Sequence, residues 1–89
     1  MIRSFRHKGL SELFESGKSR RVQPKHLKRL GLILTALNAA TQVGQMAMPG
    51  LRYHPLKGGR HSVWVDENYR VTFSFQGGHA YEVDYEDYH

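Results

Sequence analysis

The spacing of apolar residues changes near residue 44 of this sequence, and no other feature limits the possible folds as strongly. Before that point Leu27, Leu30, Leu34 and Leu37 recur every three or four residues, which is the period of an amphipathic helix. After it, the odd positions of residues 69–75 are apolar or aromatic and the even positions are polar, which is the period of a half-buried strand. Helices followed by antiparallel strands predict an α+β fold.

The sequence divides into two predicted helices and three predicted strands. A short helix over residues 9–17 ends at a glycine, and Pro24 is well suited to begin a longer helix that continues to about residue 43. Strands are predicted at residues 61–65, 69–75 and 80–86, with a weaker signal at residues 2–6. We expect a single domain over residues 1–89, with two N-terminal helices packed on one face of a small, twisted, mainly antiparallel sheet.

The strand pattern also predicts which side chains face the helices. Phe73 and the other odd-numbered residues of its strand should face the core, whereas Arg70 should project from the opposite, open face. In the last strand Tyr81, Val83 and Tyr85 alternate and are predicted to share one face. Functional side chains are therefore expected on the open face.

The charge of the chain is unevenly distributed. Residues 1–60 contain 12 Lys or Arg and 2 Asp or Glu, whereas residues 61–89 contain 1 Arg and 6 acidic residues. A basic body suits a polyanion such as RNA or DNA, although lysines that merely keep a surface soluble would look the same. There is no cysteine and no apolar run long enough to cross a membrane, so we expect a cytoplasmic protein with no membrane contact.

Six side chains are predicted to gather on the open face: His54, Lys57, Arg70, Asp87, Tyr88 and His89. They offer cations for a phosphate, imidazoles for proton transfer and a ring for base stacking, which are the groups needed to cleave RNA through its own 2'-hydroxyl. No histidine pair has the spacing of a helical zinc site, so neither a metal nor a cofactor is expected.

Simpler structural roles are open to the same residues. Lys57, which precedes two glycines, would be a solvated lysine in a turn. Arg70 would form a cross-strand ion pair with a carboxylate such as Asp84. His89 would be a solvated chain end. Taken without further information, the residues support a small basic α+β domain that binds nucleic acid.

Five motifs, in order along nearly the whole chain, resemble the HigB toxins of the RelE/ParE superfamily. They are Met-Ile-Arg-Ser-Phe-Arg-His-Lys-Gly-Leu at 1–10, Leu-Asn-Ala-Ala-Thr at 37–41, Pro-Gly at 49–50 followed by His-Pro-Leu-Lys-Gly at 54–58, Tyr-Arg-Val-Thr-Phe at 69–73, and Tyr-Glu-Asp-Tyr-His at 85–89. The resemblance implies a toxin of a type II toxin–antitoxin system that cleaves ribosome-bound mRNA. It also implies a HigA-type helix-turn-helix antitoxin as partner, through which alone operator DNA would be contacted.

The resemblance also implies roles for single residues. Lys57 and Arg70 would stabilise charge on the scissile phosphate, and Arg60 would add to RNA binding. His54 and His89 would move protons. Tyr88 would stack on or orient a base. Asp87 would either act as a base or tune an imidazole.

The chain departs from the HigB pattern in one loop. Residues 58–62 are about three residues shorter than the corresponding stretch of the family, and His61 stands where the family often has Trp. A shorter loop could re-aim Arg60 and reduce activity. Two other interpretations therefore stay open: a gyrase poison like the ParE branch of the superfamily, and a degenerate toxin homologue that only binds nucleic acid.

Overall fold

The fold was obtained as a computed structural model and is described for residues 1–88. The elements are helices α1 (Lys8–Ser16) and α2 (Leu27–Ala39), then strands β1 (His54–Pro55), β2 (Arg60–Trp64), β3 (Tyr69–Gln76) and β4 (His79–Asp87). The strands form one sheet in the order β1-β2-β3-β4, and every neighbouring pair is antiparallel. The α+β prediction of two N-terminal helices followed by an antiparallel sheet is confirmed.

Both helices end where the backbone leaves helical geometry. Helix α1 stops at Gly17, which has a φ of 77° and donates its N–H to the carbonyl of Leu13 at 2.8 Å. Helix α2 ends at Ala39 because Ala40 is extended, so the prediction of a helix to about residue 43 was too long. The predicted start at Pro24 begins a single 3₁₀ turn that leads into α2.

The sheet differs from the three predicted strands at its two edges. His54–Pro55 adds a two-residue strand beside β2, which a sequence pattern this short could not reveal. Residues 2–6 do not form a strand, but Ile2 and Phe5 make isolated parallel bridges to Ala80 and Val83. The chain start therefore protects part of the free edge of β4.

A β-bulge in β4 places Tyr81 on a different face of the sheet from the one predicted. Thr72 pairs with Asp84 and Ser74 pairs with Tyr81, so one extra residue is inserted into β4 at this point. The insertion coincides with Glu82, whose φ is 52°. Tyr81 consequently lies on the face of Ser74, and the prediction that Tyr81 shares a face with Val83 and Tyr85 was wrong.

The core lies between the two helices and one face of the sheet. Phe73 and Val71 of β3 are fully buried against it, as the alternation predicted, together with Leu10 of α1 and Leu34 of α2. The opposite face is less open than expected, because Thr72 is also fully buried there. The side chain of Arg60 covers Thr72 and donates a hydrogen bond from Nη2 to the Thr72 hydroxyl at 3.0 Å.

Candidate functional site

A groove of about 390 Å³ lies on the sheet face opposite the helices. Its lining residues come from the segment before β1, from β1 to β3 and from the end of the chain: Arg52, His54, Leu56, Ser62, Trp64, Arg70 and Tyr88. Antiparallel pairing explains the grouping, because His54 pairs with Ser62 and residues that pair directly share a face. Of the six predicted site residues, His54, Arg70 and Tyr88 are brought together here.

Arg70 is the central cation of this groove. Its Nη1 donates to the carbonyl oxygens of Asp66 at 2.6 Å and Tyr69 at 3.0 Å, which fixes the guanidinium in place. The guanidinium carbon lies 5.3 Å from the centre of the Tyr88 ring and 5.7 Å from that of Trp64. The suggested ion pair with Asp84 does not form, since Asp84 pairs with Thr72 further along the strands.

The turn whose carbonyl oxygens accept hydrogen bonds from Arg70 is stabilised from the helix side of the sheet. His26, which is 3 % exposed, lies with Nε2 2.6 Å from Oδ2 of Asp66 and with Nδ1 2.5 Å from the hydroxyl of Tyr85. Oδ1 of Asp66 accepts the backbone N–H groups of Asn68 and Tyr69, both at 2.9 Å. The hydrogen bond from His26, followed by those from the backbone, lowers the pKa of Asp66 to about 2. This carboxylate therefore remains ionised and keeps the turn closed at neutral pH.

The end of the chain is tied to the same turn. The N–H of Tyr88 donates to the carbonyl of Asn68 at 2.5 Å, while the ring remains 43 % exposed at the groove. Asp87 pairs with Tyr69, and alternation places that pair on the helix side of the sheet rather than in the groove. His89, the sixth predicted site residue, lies outside the described residues.

Lys57 and Arg60 lie beside the groove, but Lys57 is exposed whereas Arg60 is hydrogen-bonded to the sheet. Lys57 is exposed in a 3₁₀ turn, Lys57–Gly59, directly after the groove residue Leu56. The two glycines of this turn have φ values of 77° and 78°, a conformation that side chains disfavour. Arg60 is instead bound to the sheet, donating to the hydroxyl of Ser74 at 3.3 Å and the carbonyl of Glu82 at 3.0 Å. Only Lys57 of the two projects an exposed cation.

His61, at the position where the family often has Trp, belongs to the core side of the sheet. Its ring stacks between those of Tyr53 and Phe73, with centres 5.7 Å and 5.5 Å away, and Nδ1 lies 2.7 Å from the Tyr53 hydroxyl. Burial lowers the pKa of His61, and the positive charge of Arg60 lowers it further. His61 thus serves as an aromatic packing residue.

Reasoning from the sequence missed four of the seven lining residues of the groove: Arg52, Leu56, Ser62 and Trp64. The guanidinium of Arg52 lies over the Trp64 ring at 4.0 Å from its centre, within the range of a cation–π interaction. Trp64 could have been found, because it alternates with Ser62 on the open face of β2. Arg52 carried no periodic signal, since it lies in a loop with a φ of 47°.

Two classes of feature are absent from the described part of the chain. Among residues 1–88, no three His, Asp or Glu side chains are grouped closely enough to hold a metal ion. None of the helices in this part is both long and apolar enough to cross a bilayer.

The sequence matches known proteins over its full length. Residues 3–89 match the model of the HigB-like toxins, described as RelE-like toxins of the type II toxin–antitoxin system HigB. The chain is also similar to the endoribonuclease HigB of Proteus vulgaris, with 44% identity over 92 aligned positions that cover all of both chains. The alignment is three positions longer than the 89 residues of this chain. The chain therefore belongs to the HigB-like family of RelE-like toxins of type II toxin–antitoxin systems.

Proposed function

We propose that this protein is an endoribonuclease that inhibits translation by cleaving mRNA on the ribosome. The observation that supports this most directly is the groove in which Arg70 lies beside an exposed aromatic ring, Tyr88, and an imidazole, His54. A fixed cation, a stacking ring and a proton-transfer group are what cleavage of single-stranded RNA requires. The similarity to an endoribonuclease supports the same reaction.

The reaction would use the substrate's own 2'-hydroxyl as nucleophile on the neighbouring phosphate. The oxygen–phosphorus bond that it forms replaces the bond to the departing 5'-oxygen, so one group must remove a proton and another must supply one. His54 and His89 are the proposed proton-transfer groups. Since strand alternation places Asp87 on the helix side of the sheet, we propose that it tunes an imidazole and does not itself act as the base.

The cations would act on the charge that develops at the phosphate. Arg70 is held by two backbone carbonyls before any substrate arrives, so its charge needs little reorganisation during the reaction. Lys57, exposed on the adjacent turn, would approach the phosphate from the side of β1. Tyr88 would stack on a base next to the scissile bond, and Arg60 would contribute positive potential to RNA binding from its fixed position.

The partners follow from the same proposal. A type II toxin is neutralised by an antitoxin protein, and we propose a HigA-type helix-turn-helix protein that alone contacts operator DNA. Action on ribosome-bound mRNA would take place in the cytoplasm.

The decisive experiment maps the 5' ends of cellular mRNA after brief induction and repeats the cleavage with purified protein, ribosomes and a defined mRNA. We expect new ends inside coding regions, loss of cleavage when the scissile nucleotide carries a 2'-deoxyribose, and a drop of about 10²–10³ in rate for Arg70→Ala or Lys57→Ala. Lys28→Ala is the matched control, because Lys28 is an exposed lysine on α2.

Two outcomes would refute the proposal. Growth arrest without new mRNA ends would indicate a poison of another target, such as gyrase. Absence of both growth arrest and cleavage would indicate a degenerate toxin.

A further inference from the structure

Two aromatic rings flank Arg70 across the sheet. Trp64 pairs directly with Arg70 across β2 and β3, and Tyr88 follows β4, on the other side of β3. The guanidinium carbon of Arg70 is nearly the same distance from both ring centres, 5.7 Å and 5.3 Å. A phosphate bound at Arg70 would therefore have one aromatic ring on each side, and a phosphate in a nucleic acid likewise joins two nucleotides.

Hydrogen bonds to backbone carbonyls hold the loop before β1 and the end of β2, where Arg52 and Trp64 lie. The N–H of Trp64 donates to the carbonyl of Leu51 at 2.6 Å, which brings the loop that carries Arg52 against the end of β2. Arg29 of α2 donates to the carbonyls of Trp64 at 3.0 Å and Gly50 at 2.5 Å. The backbone beneath Arg52 and Trp64 is thus held by a helix, while the Arg52 side chain itself is exposed.

We propose that Trp64 and Arg52 form a second base-stacking subsite, for the nucleotide on the opposite side of the scissile phosphate from the one at Tyr88. This inference rests on the proposed function and extends it to the substrate contacts. A base would stack on the Trp64 ring in exchange for the Arg52 guanidinium, and the released guanidinium would contact a neighbouring phosphate.

The relative strengths of the two interactions favour this exchange. An exposed cation–π pair is worth about a 2- to 5-fold change in an equilibrium constant, whereas stacking of a base on an aromatic ring is worth about 5- to 100-fold. The released Arg52 also gains a phosphate contact of the kind that guanidinium groups make well. Stacking tolerates any base, so this subsite would strengthen binding without selecting a sequence.

The chain has a single tryptophan, so its fluorescence reports on ligand bound at Trp64 or directly beside it. The test titrates the wild-type protein with a hexamer of adenosine whose 2'-oxygens are methylated to prevent cleavage. Binding is followed by Trp64 fluorescence and independently by the anisotropy of a labelled copy of the hexamer. We expect a saturating change in Trp64 fluorescence with the same Kd as the anisotropy change.

Three variants separate stacking from packing. Trp64→Leu should weaken binding about 5- to 100-fold and raise the KM for ribosome-bound mRNA more than it lowers kcat, while Trp64→Phe restores most of the affinity because a ring is present. Arg52→Gln should keep the fluorescence change and reduce by about one the dependence of log Kd on log salt concentration. Phe14→Leu is the aromatic control, on an exposed position of α1.

The outcomes distinguish this inference from the proposed function. If the wild type cleaves mRNA and binds the hexamer, but Trp64 fluorescence does not change and Trp64→Leu has an unchanged KM, the subsite is refuted and the proposed function stands. If Trp64→Phe is as defective as Trp64→Leu, stacking is refuted as well. If the wild type neither binds the hexamer nor cleaves mRNA, both proposals fail.

Discussion

Replacement of Phe73 by alanine tests the face assignment on which the groove depends. Phe73 is fully buried at the centre of β3 and stacks against His61 at 5.5 Å between ring centres. Removing such a ring costs about 3–5 kcal/mol, and a chain of this length has only about 4–13 kcal/mol of total stability. Since 1 kcal/mol corresponds to about 4–8 °C in a domain of this size, we expect Phe73→Ala to lower the Tm by at least about 12 °C.

Urea and thermal unfolding followed by circular dichroism measure this loss, with Phe14→Ala as the matched control. Phe14 is 39 % exposed on α1, with its ring centre 5.7 Å from that of Phe5, so its removal should cost about 1 kcal/mol or less. A Phe73→Ala protein within 1 kcal/mol of the wild type would refute the reasoning. The core would then lie on the other face of the sheet, and Arg70 would point into it.

Three further predictions test separate parts of the structure. Arg60→Ala should lower the free energy of unfolding by about 1–3 kcal/mol in urea, because it removes hydrogen bonds from a charged donor to two hydroxyls and a carbonyl; unchanged stability would contradict this. Burial lowers the pKa values of His7 and His61 below 6.5 in the folded state. The free energy of unfolding should therefore be highest above about pH 7 and decline as the pH falls through 6.5, and this decline should be less steep in His61→Gln. An equal slope in His61→Gln and the wild type would show that His61 does not contribute to the decline. Deleting His89 should cost at most about 1 kcal/mol in stability but reduce mRNA cleavage by about 10²–10⁴, and equal toxicity at matched protein levels would rule out a catalytic chain end.

Most of the fold could be predicted because the spacing of hydrophobic residues indicates which side of each helix or strand is buried. The alternation around Phe73 identified the core face of β3, and the leucine spacing identified α2. The face of Tyr81 could not be predicted, since one residue with a φ of 52°, Glu82, reverses the alternation of β4. The end of α2 was also missed, because no glycine or proline occurs between Ala39 and residue 43.

The residues that line the candidate groove were predicted in part, for reasons that differ from residue to residue. Arg70 was predicted to lie on the open face because it is a cation among the even positions of β3, and His54 and Tyr88 because the segments that carry them lead into or out of predicted strands. Arg52 belongs to a loop, and only the hydrogen bonds that hold this loop to β2 bring it over Trp64. No pattern in a sequence reports contacts of that kind.

The structure also shows how the helix side of the sheet supports the groove. Asp66 bonds through its carboxylate to His26 at the start of α2, and through its carbonyl to the guanidinium of Arg70. A single turn residue thus joins a buried imidazole on one side of the sheet to the half-buried cation on the other. The carbonyl of Asn68, in the same turn, accepts a hydrogen bond from the N–H of Tyr88. The Arg70 guanidinium and the Tyr88 ring are therefore positioned against each other before any ligand binds. Such pre-organisation is what electrostatic stabilisation of a developing charge requires, because a freely rotating arginine would lose much of its effect to reorganisation.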